Sequence, residues 1–308
     1  MAVHPSKKKL MSLSEAVSLV KDGDIVALGG NLSAREPMAL IREVIRQGKK
    51  NLHCIGGAHG IDVDLLVAGG AVSVVQHSFV GFEGDFGLAP NYRRAVEKGL
   101  VTGKETDCMA ILAHLRAAAY GVPFMPMGPV RGTDLLKLNP EVKTMECPCT
   151  GESVNLYPAI RPDVALIHCH KADPLGNIRL EAPYFADPLL VESSKTVIAT
   201  VEEIVTEEEM RRLGATFPSY AVTAVAHVPF GAHPTSCYPG YSYDRRHMAE
   251  YVKAANGEDF AGRYLAKYVL SPKTHEEYLA LVGGRERLCE LTRWSESTER
   301  WRALCAAV

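Results

Sequence analysis

The chain has 308 residues, 47% hydrophobic and 23% charged, with a formal net charge of −2. That length supports a large buried core, and the near-neutral balance excludes a general nucleic-acid surface while permitting a local basic pocket. No run approaches the ~18 apolar residues that a membrane-spanning helix needs.

Lys7, Lys8 and Lys9, followed by Leu10 and Met11, read as a short basic tail over residues 1–10 and not as an export signal. Ser12–Val20 predicts the first helix, with Ser12 as N-cap and Glu15 at the capping-box spacing. Ile25, Val26, Ala27 and Leu28 form a continuous apolar run, the pattern of a strand buried on both faces. Gly29 and Gly30 end it, and a helix with apolar periodicity runs over 37–47 to Gly48. Leu52–Ile55 predicts a short strand broken by Gly56-Gly57, then a helix over Ile61–Ala68 and a strand over Val72–Gln76. Helices follow over Pro90–Lys98 and Met109–Tyr120, while 128–160, rich in Gly, Pro and polar residues, predicts a long surface excursion. Val164–His168, Thr196–Val201 and Val222–Val228 read as further strands, and residues 241–308 as mainly helical. The alternation predicts one α/β domain over 1–308, with an open, mostly parallel sheet flanked by helices.

The eight cysteines are scattered singly except for Cys147-Pro148-Cys149. Reduced thiols and a cytoplasmic location are expected, and without a second pair at finger-like spacing no metal site is expected there.

The strand, Gly-Gly turn and helix at 22–37 form the junction at which α/β proteins place ligands. Its spacing is neither Gly-x-Gly-x-x-Gly nor a phosphate-binding loop ending in Gly-Lys-Ser/Thr. Two glycines let a ligand approach the backbone, where free amides of Gly29, Gly30 and Asn31 would face a developing negative charge. The bland alternative is a strand-ending turn that binds nothing.

Asp22-Gly23, the aliphatic run, Gly29-Gly30 and Pro37 resemble the first-subunit signature of the family I CoA-transferases, with Asn31 where many members have Phe. The Arg35-x-Pro37 form is similar to the alpha subunit of glutaconate CoA-transferase. Ile55–Gly60, Gly81-Phe82-Glu83, Ala89–Arg94, Ala117–Phe124, Asp163–Asn177, Pro229–Pro234 and Glu276–Leu279 extend the likeness in family order over roughly residues 12–282. The resemblance implies that CoA moves from an acyl-CoA to a carboxylic acid, by covalent catalysis through a glutamate. It implies coenzyme A as co-substrate, no tightly bound cofactor, and a beta subunit in an alpha-two-beta-two assembly. In relatives the nucleophile lies in a Ser-Glu-Asn-Gly motif of that second subunit. His77-Ser78-Phe79 begins similarly here, but no Glu-Asn-Gly follows. This chain is therefore expected to supply the oxyanion-hole backbone and the substrate pocket.

Glu83, among three glycines, is the candidate acid of that pocket, against the ordinary reading of a solvated loop residue. Arg35 is a candidate for an anionic substrate group or a CoA phosphate, against an ion pair with Glu36 or a partner chain. Ser78, His233 and Glu105 are further substrate- or CoA-binding candidates, and His59 a weaker one. His233 is equally well read as a structural residue. A second reading is the alpha subunit of a CoA-thioester hydrolase of the steroid-ring-cleaving type, with Glu83 or Glu105 as the acid. Alignment there falls near Cys108, and an acid at a helix start also serves as a dipole-complementing residue. A third reading, a non-catalytic effector-binding regulator, has neither a helix-turn-helix extension nor a basic patch to support it.

Overall fold

The computed structural model describes residues 9–130 and 132–306. Most of the basic tail lies outside them. Lys9 is anchored, its ammonium donating to the carbonyls of Ser219 and Val222, while the amide of Met11 bonds Val225 O at 2.9 Å.

Helix α1 (Leu13–Val17) carries the expected capping box: Ser12 accepts from the Glu15 amide, and the Glu15 carboxylate takes the Ser12 amide. Strand β1 (Ile25–Leu28) leads through the Gly-Gly turn into α2 (Met38–Arg46). Then come β2 (Leu52–His59), α3 (Ile61–Ala68), β3 (Val72–Val80), a short α4 (Glu83–Phe86), α5 (Pro90–Glu97), β4 (Thr102–Gly103) and α6 (Cys108–Ala119). Strand β2 does not stop at Gly56-Gly57, as expected from sequence. It pairs with β3 out to His59↔Val80, because an ideal Cβ on Gly56 would lie 2.6 Å from the His77 ring and only glycine lets the strands stay in register.

The predicted excursion over 128–160 is not all loop. With β5 (Phe124–Met127) it holds α7 (Leu135–Leu138), β6 (Lys143–Glu146) and β7 (Ser153–Pro158), and the strands form an antiparallel sheet in the order β5-β7-β6. The chain then re-enters the main sheet through β8 (Val164–Ala172), β9 (Ile178–Arg179), α8 (Asp187–Ser193), β10 (Thr196–Ile204), α9 (Glu207–Leu213) and β11 (Ala224–His227). Helix α10 (Arg245–Ala255) opens the helical C-terminal region expected from sequence.

The main sheet has the order β11-β10-β8-β1-β2-β3-β4 with every neighbouring pair parallel, and β9 adds antiparallel to β8. Val26 and Leu28 of β1 pack with α2, α3, α5 and α10 on one face, while Ala27 packs with Ile111 and Leu115 of α6 and Leu190 of α8 on the other. A doubly covered sheet explains the continuous apolar runs. Chain order runs outward in opposite directions from the β1–β8 pair, so the switch point lies directly beyond the Gly-Gly turn.

Candidate active site

At the end of β1 the turn is built tightly. The Gly29 amide donates to Leu166 O at 2.9 Å, and a Cβ there would meet Asp187 Oδ1 and Ile167 Cγ2, both at 2.7 Å. Gly30 has φ +82°, and its amide bonds Asp187 Oδ1 at 3.3 Å. The amides of Asn31 and Leu32 donate to Ala34 O at 2.8 Å and Ala58 O at 3.0 Å. These contacts correct the expectation that Gly29, Gly30 and Asn31 offer free amides, because the turn consumes them in holding its own shape. The next amide is different: the Ser33 N–H has no acceptor among the described residues.

Arg35 is also corrected. It is 2% exposed, and its guanidinium pairs with Asp187 at 3.1 Å and donates to Pro183 O at 2.7 Å and His168 O at 3.3 Å. Burial opposes its charge and Asp187 more than offsets that, so its pKa is raised. Neither an outside anion nor Glu36 is its partner.

Glu36 turns instead into a buried acid cluster under the start of α3. Its carboxyl accepts from the Gly60 amide at 2.7 Å and the Asp62 amide at 3.2 Å, while Asp62 Oδ2 lies 2.6 Å from His59 Nδ1. Burial, and then the charge of Asp62, push the Glu36 pKa well up. Asp62 sits below its ordinary range: burial works upward, but the adjoining His59 ring outweighs it. His59 is thus part of the scaffold beneath the site.

Ser33 and Gly60 are floor residues of a cavity of about 240 Å³ at the carboxyl edge of β1, β2 and β3. Leu32 and Ile61 flank them, and the segment after β3 brings in Glu83 and Asp85. Glu83 is exposed and has φ +49°, a left-handed conformation that non-glycine residues rarely adopt. The loop is closed at its neck by the Phe82 amide on Gly87 O at 2.6 Å. Asp85 pairs with Arg245 at 3.5 Å.

The other candidates lie outside this cavity's lining. The Cys108 thiol, exposed at the start of α6, donates to Ser78 Oγ at 3.2 Å. Asp107 is the N-cap of α6, accepting from Met109 and Ala110, and Glu105 is exposed on the preceding segment. His233 is fully buried, its Nδ1 2.8 Å from the Tyr278 hydroxyl and its Nε2 3.1 Å from Asp244. Burial lowers its pKa against the pull of Asp244. It holds the core and faces no open space, which corrects its reading as a substrate ligand.

Two groups place metal-type donor atoms within 4.8 Å of one another, Glu36-His59-Asp62 and His168-Glu202-Cys237. In the second, His168 bonds Thr200 at 2.8 Å and Glu202 at 2.6 Å, and Glu202 also takes the Phe230 amide at 2.7 Å. Both groups are closed by their own hydrogen bonds, an arrangement that fits scaffolding better than ion binding.

The Coenzyme A transferase family profile matches residues 10–227. The chain belongs to that family. It is 33% identical to the first of the two subunit types of glutaconate CoA-transferase from Acidaminococcus fermentans, over 89% of this chain and 92% of the relative. It is 36% identical to the corresponding subunit of 3-oxoadipate CoA-transferase from Pseudomonas knackmussii, over 89% and 98%. The crystal structure of the A. fermentans glutaconate enzyme superposes with a TM-score of 0.87 at 32% identity, covering 92% of this chain and 95% of that one. A variant of the decarboxylase AibA/AibB superposes with a TM-score of 0.77 at 36% identity over 83% and 97%. This family member is of the first-subunit type, and the open parallel sheet expected from sequence is its fold.

Two participants escaped the sequence reading. Ser33 carries no signal beyond its nearness to the Gly-Gly turn. Asp187 reads locally as an ordinary acidic first-turn residue of α8.

Proposed function

We propose that this chain is the first, alpha-type subunit of an enzyme that moves CoA between an acyl-CoA and a carboxylic acid, with a beta subunit supplying the nucleophilic glutamate. The observation that carries the reading is the cavity at the switch point, with the unclaimed Ser33 amide in its floor. An unpaired N–H beside a ligand cavity is what a developing oxyanion requires. We assign that role to Ser33, with Gly29, Gly30 and Asn31 shaping the turn that presents it.

The partner's carboxylate attacks the thioester carbon and expels CoA thiolate, leaving an anhydride. The thiolate then attacks the glutamyl carbon, releasing the first acid and leaving a glutamyl-CoA thioester, from which the acceptor acid takes CoA by the reverse steps. Each addition puts negative charge on a carbonyl oxygen, and the Ser33 amide would meet it at the acyl group lodged in this cavity. Coenzyme A is a co-substrate, an alpha-two-beta-two assembly follows the likeness to relatives, and the eight free cysteines suit a reducing cytoplasm. Among the described residues no helix is long and apolar enough to cross a membrane.

The test is reconstitution. The chain alone is expected to exchange no CoA, and addition of a beta subunit with the Ser-Glu-Asn-Gly motif to restore exchange. A hydroxylamine-sensitive CoA adduct should then appear on the beta polypeptide. Full exchange by the isolated chain, or an adduct on Glu83, overturns the proposal. The hydrolase reading retains Glu83 as its acid, since Glu105 stands outside the cavity lining. Unchanged hydrolysis in a Glu83→Ala complex would remove it.

A further inference from the structure

The acids named in two relatives, glutaconate and 3-oxoadipate, are both dicarboxylates, and a pocket for such an acid needs a cation or several donors at its far end. This cavity is differently equipped. Leu32, Ile61, Phe82 and Met248 give it apolar walls, and its two ionisable acids are Glu83 and Asp85. Among the described residues no lysine, arginine or histidine lines it. Arg245 answers the charge of Asp85 from behind, at 3.5 Å, and its guanidinium also lies 5.2 Å above the Phe86 ring. Glu83 has no ion-pair partner among the described residues. Its carboxylate therefore brings an uncompensated negative charge to the cavity mouth, and a second carboxylate on the substrate would meet like charge there.

The size agrees. About 240 Å³ holds roughly eight waters at ~30 Å³ each, which suits an acyl tail of several carbons. The loop is also set up to keep Glu83 in place: its left-handed φ of +49° is held between the Gly81–Leu88 bridge and the Phe82–Gly87 closure.

We propose that Glu83 makes this pocket selective for monocarboxylic acyl groups with an uncharged tail, by excluding acids that carry a second, distal carboxylate. This rests on the transferase reading and names its substrate class. The tail is apolar or bears a hydroxyl or similar donor that Glu83 can accept from, since the walls provide hydrophobic contact and the one unpaired polar group is an acceptor.

The experiment uses the reconstituted complex with one acyl-CoA donor and a panel of acceptors: butyrate and 3-hydroxybutyrate against glutarate, glutaconate and 3-oxoadipate. Wild type is expected to favour the monocarboxylates by at least tenfold in kcat/KM. Glu83→Gln and Glu83→Ser, at an exposed site where folding is not at stake, should each narrow that ratio by at least tenfold. A merely structural glutamate would lower all acceptors alike and leave the ratio unmoved, which overturns the inference. Preference for dicarboxylates in the wild type also overturns it and leaves the transferase reading standing. No exchange with any acid overturns the transferase reading itself, and the claim about its substrate with it.

Discussion

Replacing Glu36 tests whether the floor of the cavity is held up by a protonated acid. The side chain is fully buried and accepts from two backbone amides, those of Gly60 and Asp62. Alanine strands the Asp62 amide, whereas the Gly60 amide keeps a long bond to Asp62 Oδ1 at 3.3 Å. A buried donor left unpaired costs about 1–3 kcal/mol, and the cavity adds to it, so Glu36→Ala should lose about 2–5 kcal/mol. At ~2–4 °C per kcal/mol for chains of a few hundred residues, the melting temperature should fall by about 5–15 °C. Glu36→Gln keeps an acceptor for the amides and a donor toward Asp62, as a protonated glutamate does, and should lose less than about 1 kcal/mol at pH 5.

The pH dependence has a definite sign. Burial and Asp62 raise the folded pKa of Glu36, so the folded wild type retains a proton that the unfolded chain gives up near the ordinary glutamate value. This contribution is complete below the unfolded pKa and is lost as pH climbs toward the folded one, by up to ~1.4 kcal/mol per pH unit. Glutamine does not titrate, so its melting temperature relative to wild type should rise between pH 5 and pH 8, read by differential scanning fluorimetry at each pH. A flat difference across that range, or a Glu36→Ala protein melting within about 2 °C of wild type, would refute the reasoning.

Other outcomes follow from neighbouring groups. Asp187→Ala leaves the Arg35 guanidinium buried with only carbonyl partners and should cost about 3–5 kcal/mol in urea unfolding. The double replacement Arg35→Met with Asp187→Leu should recover a large part of it, and no recovery would mean that the backbone turn, and not the ion pair, sets the cost. Among the cysteines, the Thr150 hydroxyl and then the amides of Cys149 and Thr150 draw down the Cys147 pKa, whereas burial pushes Cys54 and Cys169 far up. Brief iodoacetamide treatment of the native protein should therefore mark Cys147 and spare Cys54 and Cys169 in peptide maps. Equal labelling of Cys54 would contradict its burial.

Local pattern carried the framework well. The apolar run at 25–28, the Ser12/Glu15 capping box and the helix Ile61–Ala68 all stand where their residues place them. Failures came where tertiary contacts override local signals. Gly56-Gly57 looks like a strand end, yet pairing with β3 carries β2 through because the His77 ring needs the space a side chain would fill. Pro126 and Pro158 disguised a small sheet as loop, since each occupies an edge strand or a strand end, where a missing N–H is tolerated. At the site, the Gly-Gly turn was legible but its free amide was misplaced by a few residues. Only Asp187, more than 150 positions away, reveals that Gly30 and Arg35 are already spoken for. His233 likewise takes its meaning from Tyr278 and Asp244, which no local spacing announces.

The four residues Glu83–Phe86 contribute nothing buried, while Phe82, just before them, is locked into the core and the neck is pinned by its bond to Gly87. Such a segment behaves as an interchangeable cassette. Evolution, or an engineer, can rewrite it to retune which acid is accepted without disturbing a single pairing of the sheet below.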